Sequence, residues 1–426
     1  MPKPNIVIIV LDTLREDHAQ GLDKLLDYGF VKYQNAIAPA PWTLPSHVSM
    51  LTGLYPSEHG IHETKELRGE ELIRYSRLRI SALGHDILRK YKDENYNTIL
   101  ISANIIFVTP IAGFEAGRNI LIDPITSSIV TDDEISIDAE AKKLGSTANF
   151  ILYNLRKRNI PKLLKAAQIY LIRRLKSFPK YISEHFVREK GGSLAVSLTK
   201  TLRLEEPFFL FVNLMESHSP YFRYGEEKKY YCTILKWLLT GSINPQDRRF
   251  WRTYPQHAKR ATRRAIELVS TILQKTDHSN TLIIVTSDHG ELLGDDGAGH
   301  IYSLKDGIIR VPLYVKYPEG WKKKKQKTYI PLTDIPKILD PSTDTIGSDL
   351  AIAETFGVYH PDRFFQECRL GNPPANLFYH KIRILGNKVD ILFNKTLDQV
   401  EYTKGEQAQE VLRRLSYLGA PPKMST

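Results

Sequence analysis

The sequence predicts an α/β protein with a largely parallel central sheet and helices on both faces, and three observations predict it. Four short segments are continuously apolar and rich in β-branched residues, as strands buried on both faces should be. They are Asn5 to Leu11 (NIVIIVL), Asn97 to Ser102 (NTILIS), Pro207 to Leu214 (PFFLFVNL) and Asn280 to Thr286 (NTLIIVT). Helical patterns separate them, notably Ser46 to Leu51, Ser81 to Tyr91 and His257 to Lys275. Strand–helix–strand alternation of this kind favours parallel pairing. Acids and histidines follow the strand ends: Asp12 after the first, Glu216 and His218 after the third, Asp288 and His289 after the fourth. Open parallel sheets bind ligands beyond the carboxyl ends of their strands. That edge is therefore the expected site.

The chain has 426 residues, 42% of them apolar, enough for one large core with a smaller appendage. Residues 1–340 are expected to hold the sheet and the site, with a helical insertion at about 130–200. Residues 341–426 are expected to form a smaller α+β region packed on the rest. In it Ile382 to Leu392 (IRILGNKVDIL) reads as a hairpin around Gly-Asn. Pro331 to Leu339 opens a short helix, and the tail from Gly405 reads as an amphipathic helix with a loose end.

The net charge is +11, but between Ile151 and Lys190 eleven Lys or Arg face two Glu, a surplus of nine. The rest of the chain is nearly balanced. A protein that coats nucleic acid would spread its charge differently, so no nucleic-acid partner is expected. The insertion opens acidic (Asp132, Asp133, Glu134) and turns basic and helical. Three readings stay open for it. It is a lid whose field attracts an anionic substrate, an amphipathic helix giving peripheral membrane contact through residues 151–190, or a solvated helix face packed on the domain. The oligomeric state is not written in the sequence.

Cys232 and Cys368 are far apart and show neither a metal-ligand spacing nor a disulfide framework, so two packed or surface thiols are expected. The apolar run near the N-terminus ends at Asp12, too short for a secretory signal. No later segment reaches the roughly 20 uncharged residues of a membrane span. A cytoplasmic protein is expected.

Two clusters carry chemistry. In Ala40–Pro56 (APWTLPSHVSMLTGLYP), Pro45 suits a first helical turn and Gly53 the position past its end. Thr43 then sits at a helix N-terminus, where free N–H groups and the helix dipole favour an oxyanion. Beside a divalent cation such a hydroxyl can act as a nucleophile near neutral pH; on its own it is also the pattern of an ordinary N-cap. In the second cluster, Thr286 to Glu291 (TSDHGE), Asp288 and His289 form with Asp12 a hard-to-borderline ligand set. Alone, an Asp-His before Gly equally fits a turn.

Taken together and in order, VLDTLREDH, TLPSHVSMLTGLYPSEHG, and TSDHGE followed by RVPLYVKYP resemble the sulfatase family of the alkaline-phosphatase superfamily. SANIIFVTPIAGFEAG, NLMESHSPY and LTDIPKILD resemble that family's connecting segments. The resemblance covers roughly residues 4–340, leaving about 115–200 unmatched. It implies an alkaline-phosphatase-like fold with Asp12, Asp288 and His289 as metal ligands, and the Thr43 oxygen as a further ligand and the nucleophile. It implies also that His218 contacts the transferred group or the leaving oxygen, and that His300 stands where a general acid acts.

The departures from the family pattern matter as much. Sulfatases carry Cys-x-Pro-x-Arg, whose Cys becomes a formylglycine. Here the positions are Thr43 and His47, so no formylglycine forms, and His47 joins the candidate catalytic set in place of the arginine. Thr43 bearing a sulfate or phosphate must be released by water, which tilts the expected substrate from sulfate esters toward phosphate mono- or diesters or phosphonates. Thr13 stands where many sulfatases have a second adjacent Asp. One divalent metal ion is therefore expected, manganese or zinc favoured and calcium compatible. Leu214, four residues before His218, cannot hold a second ion, and Glu216 could do so only by another geometry. Lys305 and Asp306 lie near the site in sequence without an assigned role.

The expected function is a metal-dependent hydrolase of anionic phosphate, phosphonate or sulfate esters, working through a covalent intermediate on Thr43. A phosphotransferase or mutase of the same superfamily would look the same outside the acceptor pocket. A non-catalytic relative that binds anions or membranes is the third reading. Intact Asp12, Thr43, Asp288 and His289 argue against it.

Overall fold

In the computed structural model the four apolar runs are neighbours in one nine-stranded sheet. The structure describes residues 2–84, 86–177, 189–222, 225–357, 362–408, 410–411 and 423–424. The strands are β1 (Asn5–Leu11), β2 (Val31–Ile37), β3 (Asn97–Ser102), β4 (Arg118–Asp123), β5 (Ser128–Ile129), β6 (Phe208–Leu214), β7 (Thr281–Thr286), β8 (Arg310–Lys316) and β9 (Ile330–Pro331), in the order β9-β2-β8-β7-β1-β6-β3-β4-β5. The five central strands β7-β1-β6-β3-β4 are parallel; β8 runs antiparallel to both its neighbours, and β5 runs antiparallel to β4.

Strand β1 explains why the runs are continuously apolar. Ile6, Ile8 and Val10 face one core, with Val48 and Leu51 of α1 (Thr43–Thr52), Ile80 of α2 (Gly69–Leu83) and Leu88 of α3 (Ile87–Asp93). Val7, Ile9 and Leu11 face the other, where the long amphipathic helix near the C-terminal half, Tyr254–Lys275, packs Ala258, Ala261, Ala265 and Leu268. Each such side chain contributes roughly 2 kcal/mol by leaving water. A polar substitution on either face of β1 is therefore costly. The expected helix from Ser81 to Tyr91 is two helices: α2 ends at Gly84 (φ 70°), and Asp86 caps α3 by accepting from the Arg89 N–H. Glycine fits that left-handed position without strain, and the apolar periodicity ran through the break.

The insertion holds α4 (Asp132–Lys143), α5 (Thr147–Arg156) and α6 (Ile160–Ser177), packed around Ile137, Phe150 and Ile169. Three longer helices follow, α7 (Gly192–Thr201), α8 (Glu227–Thr240) and α9, the Tyr254–Lys275 helix, with shorter ones after them. A second sheet, β10 (Leu350–Thr355), β11 (Lys381–Gly386), β12 (Val389–Asn394), β13 (Gln399–Lys404) and β14 (Lys423–Met424), contains the expected hairpin as β11–β12. The tail helix expected from Gly405 lies largely outside the described residues; of those described, Ala408, Glu410 and Val411 are helical.

The second sheet supports the loops of the first. Ala351, Ala353 and Leu385 share a core with Ile37, Leu304 and Ile308. Arg383 pairs with Asp306 and Asp390, and Glu354 accepts from the N–H and Oγ of Ser57. Asp306 thus ties the two sheets together, and Lys305 pairs with Asp296. The two cysteines correct an expectation: Cys232 on α8 and Cys368 form a disulfide across 136 residues rather than two separate thiols. A bond between two isolated cysteines is set by the fold, and no spacing rule reveals it. No helix among the described residues is long and apolar enough to cross a membrane.

Candidate metal and nucleophile site

Asp12 directly follows β1 and Asp288 and His289 follow β7, so parallel pairing of β1 and β7 brings these three together, and Thr43, opening α1, sets its hydroxyl beside His289. All are buried. Ligand atoms of Asp12, Asp288 and His289 lie within 4.8 Å of one another. His289 Nε2 is 3.4 Å from Asp288 Oδ2, 3.9 Å from Asp12 Oδ1 and 3.4 Å from Thr43 Oγ1.

Each carboxylate is held by one oxygen and leaves the other unspoken for. Asp288 Oδ1 accepts the backbone N–H groups of Thr13 and His289, at 3.2 and 2.9 Å. Asp12 Oδ2 accepts from Asn104 Nδ2 at 3.1 Å. Asp12 Oδ1 and Asp288 Oδ2 are buried without a hydrogen-bond partner. An unpaired buried acceptor costs about 1–3 kcal/mol, and more when charged. Two of them converging on one imidazole nitrogen fit a divalent cation. His289 suits the same role, since its Nδ1–H donates to the Gly290 carbonyl at 2.9 Å and leaves Nε2 as a lone-pair donor.

Electrostatics agree. Burial pushes the Asp288 carboxyl up to about 7. Burial, then the Asp288 charge, raises Asp12. Burial lowers His289 to about 4, with His300 adding to the effect, so its imidazole is neutral and able to bind metal. Without a cation the two acids resist ionising together. Thr13 supplies its N–H from φ 61°, a left-handed conformation that costs a non-glycine residue of order 1 kcal/mol or more. Gly290 is required by space: a Cβ there would run into the Gly307 carbonyl oxygen.

Thr43 is the first residue of α1, whose N-cap Trp42 makes no side-chain capping bond. Its hydroxyl does not cap the helix; it turns toward His289. His47, one turn along, lies beneath Thr43 and not on the pocket wall. Its Nδ1–H donates to the Thr43 carbonyl at 2.9 Å, and its Nε2 accepts from Asn213 at 3.2 Å. Burial keeps it neutral, down to about 3.

His218 and His300 stand over the cluster with ring centroids 5.4 Å apart, and His300 is 4.8 Å from His289. The Nδ1–H of His218 donates to the Ser219 carbonyl at 2.8 Å; burial lowers its pKa, partly opposed by Asp12. His300 goes the other way. Burial alone would lower it, but the Glu291 carboxylate at 2.8 Å, with Asp12 and Asp288 adding to it, raises it. Glu291 is itself fully buried and accepts from Tyr221 and Tyr230 hydroxyls at 3.3 and 3.0 Å. Ile301, next to His300, sits at φ 81° with its N–H on the Pro41 carbonyl, an unusual conformation for a β-branched residue.

A cavity of about 330 Å³ opens from Thr43, His218 and His300. Its walls are largely aromatic or aliphatic, including Trp42, Phe107, Tyr231, Ile234 and Tyr302, with Glu63 as the carboxylate among them.

Sequence reasoning missed Asn104, Asn213 and Glu291. Asn104 follows β3 on the same sheet edge as Asp12, and Glu291 ends the TSDHGE motif; position was the available signal for both. Glu216 is turned away: it accepts the N–H groups of Lys190 and Gly192 at the start of α7. Burial, then Glu189, pushes it up to about 7. It offers nothing to a second ion at the Asp12 cluster.

Comparison with known proteins follows this geometry. Residues 142–340 match the sulfatase family model, and residues 9–78 match that of type I phosphodiesterase / nucleotide pyrophosphatase. The sulfatase match starts inside the stretch where motif reading found none. Among curated proteins, none matches the chain by sequence. Solved structures share the fold. One is the phosphonate monoester hydrolase of Silicibacter pomeroyi, at TM-score 0.59 and 14% identity over 98% of this chain and 94% of that one. Another is a 2-O glycosaminoglycan sulfatase, at 0.55 and 12% over 92% and 83%. A third is the phosphonate monoester hydrolase of Agrobacterium radiobacter, at 0.51 and 14% over 92% and 87%. Residues 142–340 thus match the sulfatase family model, and the chain shares its fold with sulfatases and phosphonate monoester hydrolases.

Proposed function

We propose that this sulfatase-family ester hydrolase cleaves its substrate in two steps through a covalent ester on Thr43, at a site where Asp12, Asp288, His289 and the Thr43 oxygen hold one divalent cation. The observation that carries this reading is the pair of buried, unpartnered oxygens Asp12 Oδ1 and Asp288 Oδ2 beside His289, with Thr43 Oγ1 at 3.4 Å. A bound cation supplies positive charge that favours the Thr43 alkoxide and offsets charge on the ester oxygens. Two carboxylates, an imidazole and a hydroxyl suit manganese or zinc, with calcium compatible.

The residues of the chain do the rest. Thr43 Oγ1, as the alkoxide, attacks phosphorus or sulfur in line at a helix N-terminus whose dipole favours the anion, and departs again as the alkoxide when hydroxide displaces it. His300, whose pKa Glu291 helps to raise, gives its proton to the departing alkoxide. The neutral His300 then takes a proton from water, and the resulting hydroxide breaks the Thr43 ester. His218, neutral and with Nδ1–H tied to Ser219, presents Nε2 as an acceptor in the same pocket. His47 positions Thr43 from below.

Phosphorus is favoured over sulfur, because a Thr43 ester must leave by attack of water at the central atom. The phosphodiesterase match over residues 9–78 and the phosphonate monoester hydrolase relatives support that tilt. The cavity supports a substrate with an apolar substituent and a single anionic group, since Glu63 disfavours a second. The Cys232–Cys368 disulfide, a bond that ordinarily needs an oxidising compartment, weighs against the expected cytoplasmic location.

The test is a rate comparison on aryl phosphate monoester, diester, phosphonate and sulfate, with manganese, zinc or calcium, for wild type and Thr43→Ala. Metal-dependent turnover of a phosphorus ester that vanishes in Thr43→Ala is the expected result. Unchanged turnover in Thr43→Ala refutes the mechanism.

A further inference from the structure

Helix α6 has two apolar faces. One carries Ile169 and, partly buried, Leu163 and Ala166, and closes the insertion's small core with Ile137 and Phe150. The other carries Ile160, Leu164, Ala167, Leu171 and Leu175, spaced four, three, four and four residues apart, which is one continuous stripe on a helix. Leu164, Leu171 and Leu175 are 67%, 56% and 65% exposed. On α5, Ile151, Leu152 and Leu155 are exposed as well. Soluble proteins rarely leave so much hydrocarbon contiguous and open without a partner for it.

Charge identifies the partner. From Thr147 to Ser177 there are eight Lys or Arg and no Asp or Glu. Arg156, Lys157 and Arg158, at the turn between α5 and α6, are exposed beside the apolar stripe. A second copy of this face would bring Arg156, Lys157 and Arg158 against cations like themselves. Nucleic acid would satisfy the cations but leave the leucines in water. A surface with an anionic layer above hydrocarbon satisfies both, and long cationic side chains reach headgroups while their neighbours enter the acyl region. Tyr153 and Tyr170, both exposed, suit the boundary between the two.

We propose that the α5–α6 face of the insertion is a docking surface for anionic lipid bilayers, holding the enzyme flat on the membrane without crossing it. The stripe is on a unit packed around its own core, apart from Thr43 and its ligands. The proposal is therefore independent of the mechanism above.

The full chain is sedimented with vesicles of pure phosphatidylcholine, or of phosphatidylcholine mixed with phosphatidylglycerol, at low and high salt. Wild type is expected to bind the mixed vesicles, to bind pure phosphatidylcholine about tenfold or more weakly, and to weaken with salt. The variant Leu164→Ser/Leu171→Ser and the variant Arg156→Glu/Lys157→Glu/Arg158→Glu are each expected to lose that binding while keeping the wild-type thermal transition. Absence of binding to either vesicle overturns the proposal. So does full binding by the leucine variant, which would make the contact purely ionic. A concentration-dependent dimer that dissolves in the leucine variant would assign the face to a second copy instead.

Discussion

At the carboxyl edge of the central sheet, Asp12, Asp288 and His289 are withdrawn from water, whereas on α6 of the insertion Leu164, Leu171 and Leu175 stand in it. Each region breaks the ordinary rule of burial in the opposite sense. At the sheet edge the cost of buried charge is contained by backbone N–H groups, Asn104 and the Glu291–Tyr230 contacts, which leave one oxygen each of Asp12 and Asp288 free to converge. In the insertion three helices share a small core of Ile137, Phe150 and Ile169, with Leu144, Leu163 and Ala166 partly buried on it, and leave the other face of α6 open. A violation built on rigid strands points inward to chemistry. One built on a small amphipathic unit points outward to a surface.

The largest expected effect breaks the first half of this comparison. Asp12→Ala should lower turnover by about a thousandfold or more and abolish retention of the cation after dialysis. Measuring metal content beside the rate checks it; full metal occupancy in the variant would move the ligand set elsewhere.

Next in size is Glu291→Gln. It leaves the shape of the pocket but removes the charge that raises His300. Turnover should fall about 10–100-fold for alkyl esters and much less for esters with an acidic leaving group, which depart without a proton. Equal losses for both would mean that Glu291 only supports the fold.

The pH dependence of cation binding follows. Asp288 has a folded pKa raised from 3.8 to about 7. Its contribution to apoprotein stability is therefore fully present below pH 3.8 and lost as pH rises through about 7, where the buried charge forms. The cation competes with that proton. The rise in melting temperature on adding manganese or zinc should thus grow between pH 5 and 8, and Asp288→Asn should flatten it. A rise that is the same at both pH values contradicts the buried-carboxylate account.

Much of the sheet edge was legible in the sequence, for a physical reason. Strands covered on both faces have no room for polar residues, so β1 and β3 read without error and β6 and β7 to within one residue. The first polar residues after β1, β3 and β7 then fell at the site, while Glu216 after β6 turns away from it. Asn104 and Glu291 were not assigned roles because their work is done across the fold, on Asp12 and on His300, and neither contact leaves a local pattern. The disulfide joins residues 136 apart and is invisible for the same reason. Helix α2 was misread at its end because the apolar period outlasted the hydrogen bonds, and Gly84 was the signal to stop. In the insertion the excess of charge was legible, but which leucines face inward depends on how α4, α5 and α6 pack.

The smallest expected effect belongs to the second region. Leu164→Ser/Leu171→Ser should change stability by no more than about 0.5 kcal/mol per site, since both side chains are exposed, and leave kcat on a soluble ester unchanged. A large loss of stability would place those leucines in a core and collapse the contrast between the two regions.

The most direct test of the central claim is to quench the enzyme during turnover of a phosphorus ester and read the mass of the peptide containing Thr43. The account predicts one added phosphoryl or phosphonyl group on Thr43, accumulating most with the fastest-leaving esters and absent in Thr43→Ala. Full turnover with an unmodified Thr43 peptide under the same quench would contradict it, and water would then be the nucleophile.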